Sequence, residues 1–285
     1  MNGWEEFLEY HFEMKELNLN KKLEILTHTI FEEKNIDKAF KLFEEIRKLK
    51  LGNKDKEILY NFCINMAERC VMEGMFNEAI RFWKIAYYLS IDGSQKIRIL
   101  DELGFCYSQL NKYRLARRFY KKIVKITKEI SLDFINALYQ IGNTFSYERK
   151  FKKALNYYSQ VEKLINKISN KEEKNTWYHK VLLDIFVCHY QLRNFDKAKD
   201  IHKKINVDLL PNDLKEDYYG TYGHMEYKRK RYREAKEWYK KALQVWQKFN
   251  IKLPEEKLRQ IDEKQKEYWQ YWLQECEKKL QGMAD

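Results

Sequence analysis

One arrangement of apolar and polar positions recurs along this chain. In the stretch YGTYGHMEYKRKRYREAKEWYKKAL, residues 219–243, small residues stand at Gly223, Ala235 and Ala242 among bulky aromatics and many charges. Aligned on Ala235, the same face returns at Ala198, Ala154, Ala116, Ala79 and Ala39. Each alanine has an aromatic or Ile three residues before it, an aromatic or His four after it, and a small or β-branched residue seven after it. Those offsets lie on one face of a helix. Twelve residues upstream stands glycine in three copies, Gly104, Gly142 and Gly223, with Thr27, Ala67 and Phe186 in the others. Small residues facing each other on two successive helices let the backbones approach, so the pattern predicts six helical hairpins.

The segments between copies suit helix caps and turns. KLKLGNKDKE follows the first copy, SIDGSQ the second, SNKEEKN the fourth and NVDLLPND the fifth, with Asp, Asn, Ser and Gly in capping positions. After the sixth copy, Pro254 stands near the first turn of one long helix carrying Leu258, Ile261, Tyr268, Trp269, Trp272, Leu273 and Cys276. This apolar stripe predicts a cap on the last hairpin with one wet face. The expected organisation is an N-terminal helix over 1–20, the hairpin array over 21–250 and the cap over 251–285.

Composition supports this all-helical reading. The chain has 285 residues, 44% of them hydrophobic, with 2 Pro and 9 Gly, which leaves little material for strands or long loops. No apolar run approaches the roughly 20 residues that span a bilayer, and the first residues show no signal-peptide pattern, so no membrane contact and a cytoplasmic location are expected. Five cysteines, an odd number without CxxC spacing, predict buried free thiols. The six histidines are scattered, and His189 and His202 fall at packing positions. With no phosphate loop, HExxH or GxSxG, neither an enzyme nor a cofactor or metal site is expected.

The copy LDELGFCYSQLNKYRLARRFYKKI carries Leu100, Leu103, Gly104, Tyr107, Ala116 and Tyr120 at the positions of the tetratricopeptide repeat (TPR), and the chain resembles that family. The resemblance implies a right-handed α-solenoid of about six divergent hairpins. The alanines stand 37 to 44 residues apart, longer than the family unit, and its closing proline is absent. Family groove positions, carried over with Ala235 and its equivalents as position 20, select Asn61, Ile64, Glu68 and Met72, then Arg98, Asp101, Phe105 and Gln109. They continue with Asn136, Tyr139, Asn143 and Tyr147, then Leu183, Tyr190 and Gln191, and finally Asp217, His224, Tyr227 and Lys228. Amides pair a peptide backbone as donor and acceptor at once, and aromatics bury apolar side chains, so the implied ligand is a short peptide or an extended protein segment.

Lengthened repeats, an asparagine-bearing inner surface, a capping helix and a Lys/Asn/Ile-rich composition are also similar to the ligand-binding region of RRNPP-type peptide-pheromone receptors, including Rap-, PlcR-, NprR- and arbitrium-like proteins. That resemblance implies a regulatory sensor in which Asn61, Asn136 and Asn143 hold a peptide. It also implies a regulatory partner protein and homodimerisation. Such receptors carry an N-terminal effector module, and here only about 20 residues precede the first repeat.

The net charge of +12 favours acidic partners. Arg114, Arg149, Lys150, Arg193, Arg229, Lys230 and Arg231 recur at the turns within hairpins. Stacking would line them along one edge, which is either a ridge for phosphates of nucleic acid or an acidic protein, or a row of ordinary solvated turns.

Overall fold

The computed structural model describes residues 18–47, 52–127, 129–249 and 256–283. The expected N-terminal helix and Pro254 lie outside them, as do the side chains of Leu258 and Ile261. The described residues form thirteen α-helices and one short 3₁₀ turn, with no strand. Two compact units separate after Ile126. Unit 1 contains α1 (Leu19–Phe31), α2 (Ile36–Arg47), α3 (Asn53–Met72), α4 (Phe76–Leu89), α5 (Gly93–Gln109) and α6 (Tyr113–Ile126). Unit 2 contains α7 (Leu132–Tyr147), α8 (Phe151–Ile165), α9 (Lys171–Gln191), α10 (Phe195–His202), α11 (Asn212–Lys228), α12 (Tyr232–Phe249) and α13 (Glu256–Gln281). Each unit is a run of TPR-type hairpins, α1/α2 to α5/α6 in the first and α7/α8 to α11/α12 in the second, the latter closed by α13.

Side-chain caps start several of the first helices. Asn18 accepts from the Lys21 amide, Asp92 from Gln95, Ser131 from Phe134, and Asn170 from Glu172 and Glu173, so each satisfies a donor that its helix leaves open. Within each hairpin the recurrent alanine is fully buried, the residue four on is a ring (Phe43, Trp83, Tyr120, Tyr158, His202 or Tyr239), and Tyr120, Tyr158, His202 and Tyr239 turn toward the first helix. Glycine upstream seats that ring. A Cβ on Gly104 would stand 2.5 Å from the Tyr120 ring, one on Gly142 2.7 Å from Tyr158, and one on Gly223 2.7 Å from Tyr239. The small residue and the ring therefore fit each other inside one hairpin, and Tyr239 also stacks on Trp269 and Trp272 of α13. The five cysteines are buried and free, and burial pushes the Cys70, Cys106 and Cys188 thiols up to about 12.

All six hairpin turns use a left-handed residue five positions before the alanine: Lys34, Gly74, Asn111, Arg149, Arg193 and Lys230, with φ between 53° and 72°. In five of them the next amide reaches back to a carbonyl five residues earlier, as Asn194 N does to His189 O at 2.9 Å, closing the helix end. Only one of the six is glycine, although a Cβ in this region costs roughly 1 kcal/mol. Arg149→Gly and Arg193→Gly should each raise stability by about 0.5–1 kcal/mol, read as a higher urea midpoint. A lower midpoint in both would show that the cation at the helix C-terminus outweighs the backbone strain.

Candidate functional site

The first helices of the hairpins present one polar stripe each. In unit 1, α1 offers Asn20, Glu24 and Thr27, α3 offers Asn61, Asn65, Glu68 and Met72, and α5 offers Arg98, Asp101, Phe105 and Gln109, in steps of three or four residues. Leu59, Cys63, Met66, Ala67 and Cys70 hold the opposite face of α3 in the core. A cleft of about 440 Å³ opens between α1 and α3, lined by Asn20, Leu23, Glu24, Thr27, Ile58, Asn61, Phe62 and Asn65. Arg98 pairs with Glu68 and ties α5 to α3. Beyond that pair the stripe turns apolar, with Met72 79% exposed and Phe105 edge-on to Phe76 at 6.2 Å. Burial holds the Glu102 carboxyl above its ordinary value, reinforced by the charges of Asp101 and Glu68 against that of Arg98.

In unit 2 the α7 amides bond to each other. Gln140 Nε2 donates to Asn136 Oδ1 at 3.4 Å, Asn143 Nδ2 to Gln140 Oε1 at 3.0 Å, and the Tyr158 hydroxyl to Asn143 Oδ1 at 2.8 Å. Tyr139 and Tyr190, expected on the groove surface, are instead 4% and 5% exposed. The Tyr139 hydroxyl donates to Asp184 Oδ2 at 2.6 Å, and Lys180 Nζ lies 4.7 Å from its ring centre. Asp184 is pushed up to about 6 by burial, with the nearby Asp217 adding to the shift and Tyr139 and Lys180 opposing it. Lys228 stands over the Tyr190 ring at 4.7 Å, while Gln191 and Tyr147 are exposed. His224 and Tyr227 face α13: His224 Nε2 bonds the Tyr268 hydroxyl at 2.9 Å, and the Tyr227 ring meets Trp272 edge-on.

The placements share a cause. Family position 5 turns inward in four hairpins, as Ile64, Tyr139, Leu183 and Gly220, and where Asn65, Gln140 and Asp184 follow it, the next residue takes the polar stripe. One residue is about 100° of helix rotation, so position 5 of the carried-over set falls one place off the stripe in those helices, while Asn61, Glu68 and Met72 on α3 and Asn136, Asn143 and Tyr147 on α7 stay on it. Asn65 and Asp184 were missed for this reason. Their signal was nevertheless present, because each is a polar residue inside an apolar run (CINMA and LLDIF).

The expected basic edge is unevenly occupied. Arg114, Arg149, Arg193 and Lys230 are exposed, whereas Arg229 and Arg231 both pair with Glu226, a carboxylate only 3% exposed, at 3.3 and 3.5 Å. Lys150 pairs with Glu148 at 2.8 Å. No group of three His, Cys, Asp or Glu among the described residues is placed to hold a metal, and none of the described helices is long and apolar enough to cross a membrane.

Residues 97–130 and 218–248, which are essentially α5/α6 and α11/α12, each match the family model of the tetratricopeptide repeat. No curated protein sequence matches the chain. Among solved structures, BtubC (BKLC) from P. vanneervenii is similar at 15% identity and a TM-score of 0.56, over 84% of this chain and 95% of that one. The TPR-like repeats of a Podosopora anserina kinesin light chain align at 11% identity and 0.52, covering 70% and 99%. MamA from residue 41 onward of Desulfovibrio magneticus RS-1 aligns at 18% and 0.50, covering 67% and 97%. At these identities the likeness is one of fold.

Proposed function

We propose that this protein is a non-enzymatic receptor whose first-helix surface binds a short peptide or an extended protein segment, and that binding regulates a partner. The observation that carries the reading is the row of amide and aromatic side chains on successive first helices, Asn61, Asn65 and Phe105 in one unit and Asn136, Asn143 and Tyr147 in the other. TPR hairpins are protein-interaction scaffolds, and nothing in the two faces resembles an acid–base or nucleophilic constellation. A cytoplasmic peptide sensor of the quorum-sensing type is the specific form this reading takes.

The competing use is the exposed cationic turn residues gripping an acidic protein or nucleic acid. Salt separates the two, because phosphate contacts release counterions while amide and apolar contacts do not. The protein should bind members of an immobilised array of capped heptapeptides with less than about threefold loss between roughly 50 and 300 mM salt. A single-stranded 20-mer oligonucleotide at the same concentrations should not compete. Peptide signals that collapse with salt, or full competition by the oligonucleotide, would assign the function to the cationic turns instead.

A further inference from the structure

One second helix carries an unbroken row of cations on its outer side. In each second helix the positions two before and two, five and nine after the recurrent alanine lie about half a turn away from it, so they face out from the hairpin. In α6 all four are cations, Arg114, Arg118, Lys121 and Lys125, and all four are exposed. They form one straight row about 16 Å long. Other second helices interrupt that row, with Glu44 on α2, Asn156 and Ser159 on α8, Asp200 on α10 and Glu237 on α12, so a lysine-rich composition does not explain it. In unit 1, α4 continues the pattern with exposed Arg81 and Lys84, followed by Tyr88.

Helix stability does not account for the row either. A cation is favoured in the last turn, where Lys125 stands, and disfavoured in the first, where Arg114 stands. Arg114 with Arg118, and Lys121 with Lys125, are like charges one turn apart, which weakens a helix. Among the described residues, no acid pairs with these four cations or with Lys84, whereas Arg81 lies over the Phe40 ring. Of the acids close by along the chain, Glu78 is half-buried, Asp92 accepts from Ser94 Oγ and the Gln95 amide, and Glu129 lies past the end of the unit.

Exposed apolar side chains select the partner. Tyr88, at the position equivalent to Lys125, is 85% exposed and meets Tyr87 edge-on. Ile91, in the turn after α4, is 88% exposed, and Ile126 is exposed beside Lys125. Aliphatic groups add nothing to phosphate contacts or base stacking, whereas a bilayer interface takes them up together with tyrosine while cations stay among the headgroups. We propose that the outer face of α4 and α6 docks on an anionic lipid bilayer, with Arg114, Arg118, Lys121 and Lys125 at the headgroups and Tyr88 and Ile91 entering the interface. Each cation at such a surface contributes roughly fivefold in binding. Peripheral docking needs no spanning helix, so it replaces the expectation of no membrane contact, which rested on the lack of an apolar run. It uses second helices alone and is independent of the receptor reading, which uses the first helices.

The test floats the full chain with phosphatidylcholine vesicles, either pure or containing about 30% phosphatidylglycerol, at roughly 100 mM salt. Wild type should float with the anionic vesicles alone and lose at least about tenfold in partitioning at roughly 500 mM salt. Arg118→Gln with Lys121→Gln keeps good helix formers and should lose at least about tenfold. Lys152→Gln with Lys163→Gln removes the same charge from the outer face of α8 and should lose less than about threefold. Tyr88→Ser with Ile91→Ser should lose at least about fivefold while keeping the salt dependence. Equal losses in the α6 and α8 variants would reduce the effect to net charge and overturn the choice of face. Full binding by the Tyr88/Ile91 variant, or α6-dependent binding of a single-stranded oligonucleotide tighter than that of vesicles at equal phosphate concentration, would overturn the bilayer in favour of nucleic acid. A wild-type chain that stays behind when the anionic vesicles float overturns the proposal altogether.

Discussion

Replacing Gly220 by alanine should free the C-terminal helix from the hairpin beneath it. The Trp269 ring of α13 lies directly on Gly220 of α11, and a methyl group there would fall inside the ring's van der Waals envelope. Nothing nearby can yield cheaply. Trp269 is buried among Ala235, Tyr239, Ala242 and Cys276, and its indole N–H donates to Glu216 Oε1 at 2.6 Å. Overpacking of this kind costs about 1–3 kcal/mol. The hairpin can retain its own core, so the strain is relieved by α13 lifting away. Hydrogen exchange of α13 amides should accelerate by at least about tenfold in Gly220→Ala, with α3 and α5 unchanged. Adding Trp269→Leu, which removes the clash, should recover part of the loss. Protection of α13 equal to wild type in the single variant would refute this packing account.

Acid should weaken unit 2 through two half-buried histidines. His202 stacks on Tyr222 at 3.7 Å, bonds the Tyr218 hydroxyl at 2.7 Å and faces Phe186 and Trp238. His224 is held between the hydroxyls of Tyr239 and Tyr268, at 2.7 and 2.9 Å. Burial lowers both to about 4, and Lys241 and Lys228 respectively add to the shift. A histidine lowered in the folded state contributes fully above the unfolded value of about 6.5, and its contribution is lost as pH falls from there through 4. Allowing for partial exposure, each loss is about 2 kcal/mol by pH 4.5. Asp184 works the other way. Its folded value, raised to about 6, penalises the native state at neutral pH and relieves it by about 1.5 kcal/mol over the same interval. The net expectation is a loss of about 2–3 kcal/mol between pH 7 and 4.5, seen as a falling urea midpoint. His202→Gln and His224→Gln keep a hydrogen-bonding group without titrating, so each should flatten that slope even where it lowers the midpoint at pH 7. An unchanged slope in both would remove the histidines as the cause.

The candidate site was less legible than the fold because the two depend on different precision. Six hairpins follow from apolar positions that recur whatever the exact rotation of each helix, and Ala39 through Ala235 mark them all. A groove residue needs its rotation known to within one position. Ile64 against Asn65 shows how that single step exchanges a core side chain for a surface one, and Leu183 against Asp184 how it exchanges one for a half-buried carboxylate. The cationic turns illustrate the same limit, since Arg229 and Arg231 read as free charges until the fold brings Glu226 beside them.

What the sequence determined by itself was the local alphabet: helix, turn, the pairing of a small residue with a ring, free buried thiols and the absence of catalytic motifs. Those properties depend on neighbours within about forty residues, and side-chain periodicity records them directly. Only the tertiary structure decided which amides were already bonded, which carboxylate lay in a core, and that Gly220 was a seat for Trp269, because each depends on a partner side chain brought in from another helix.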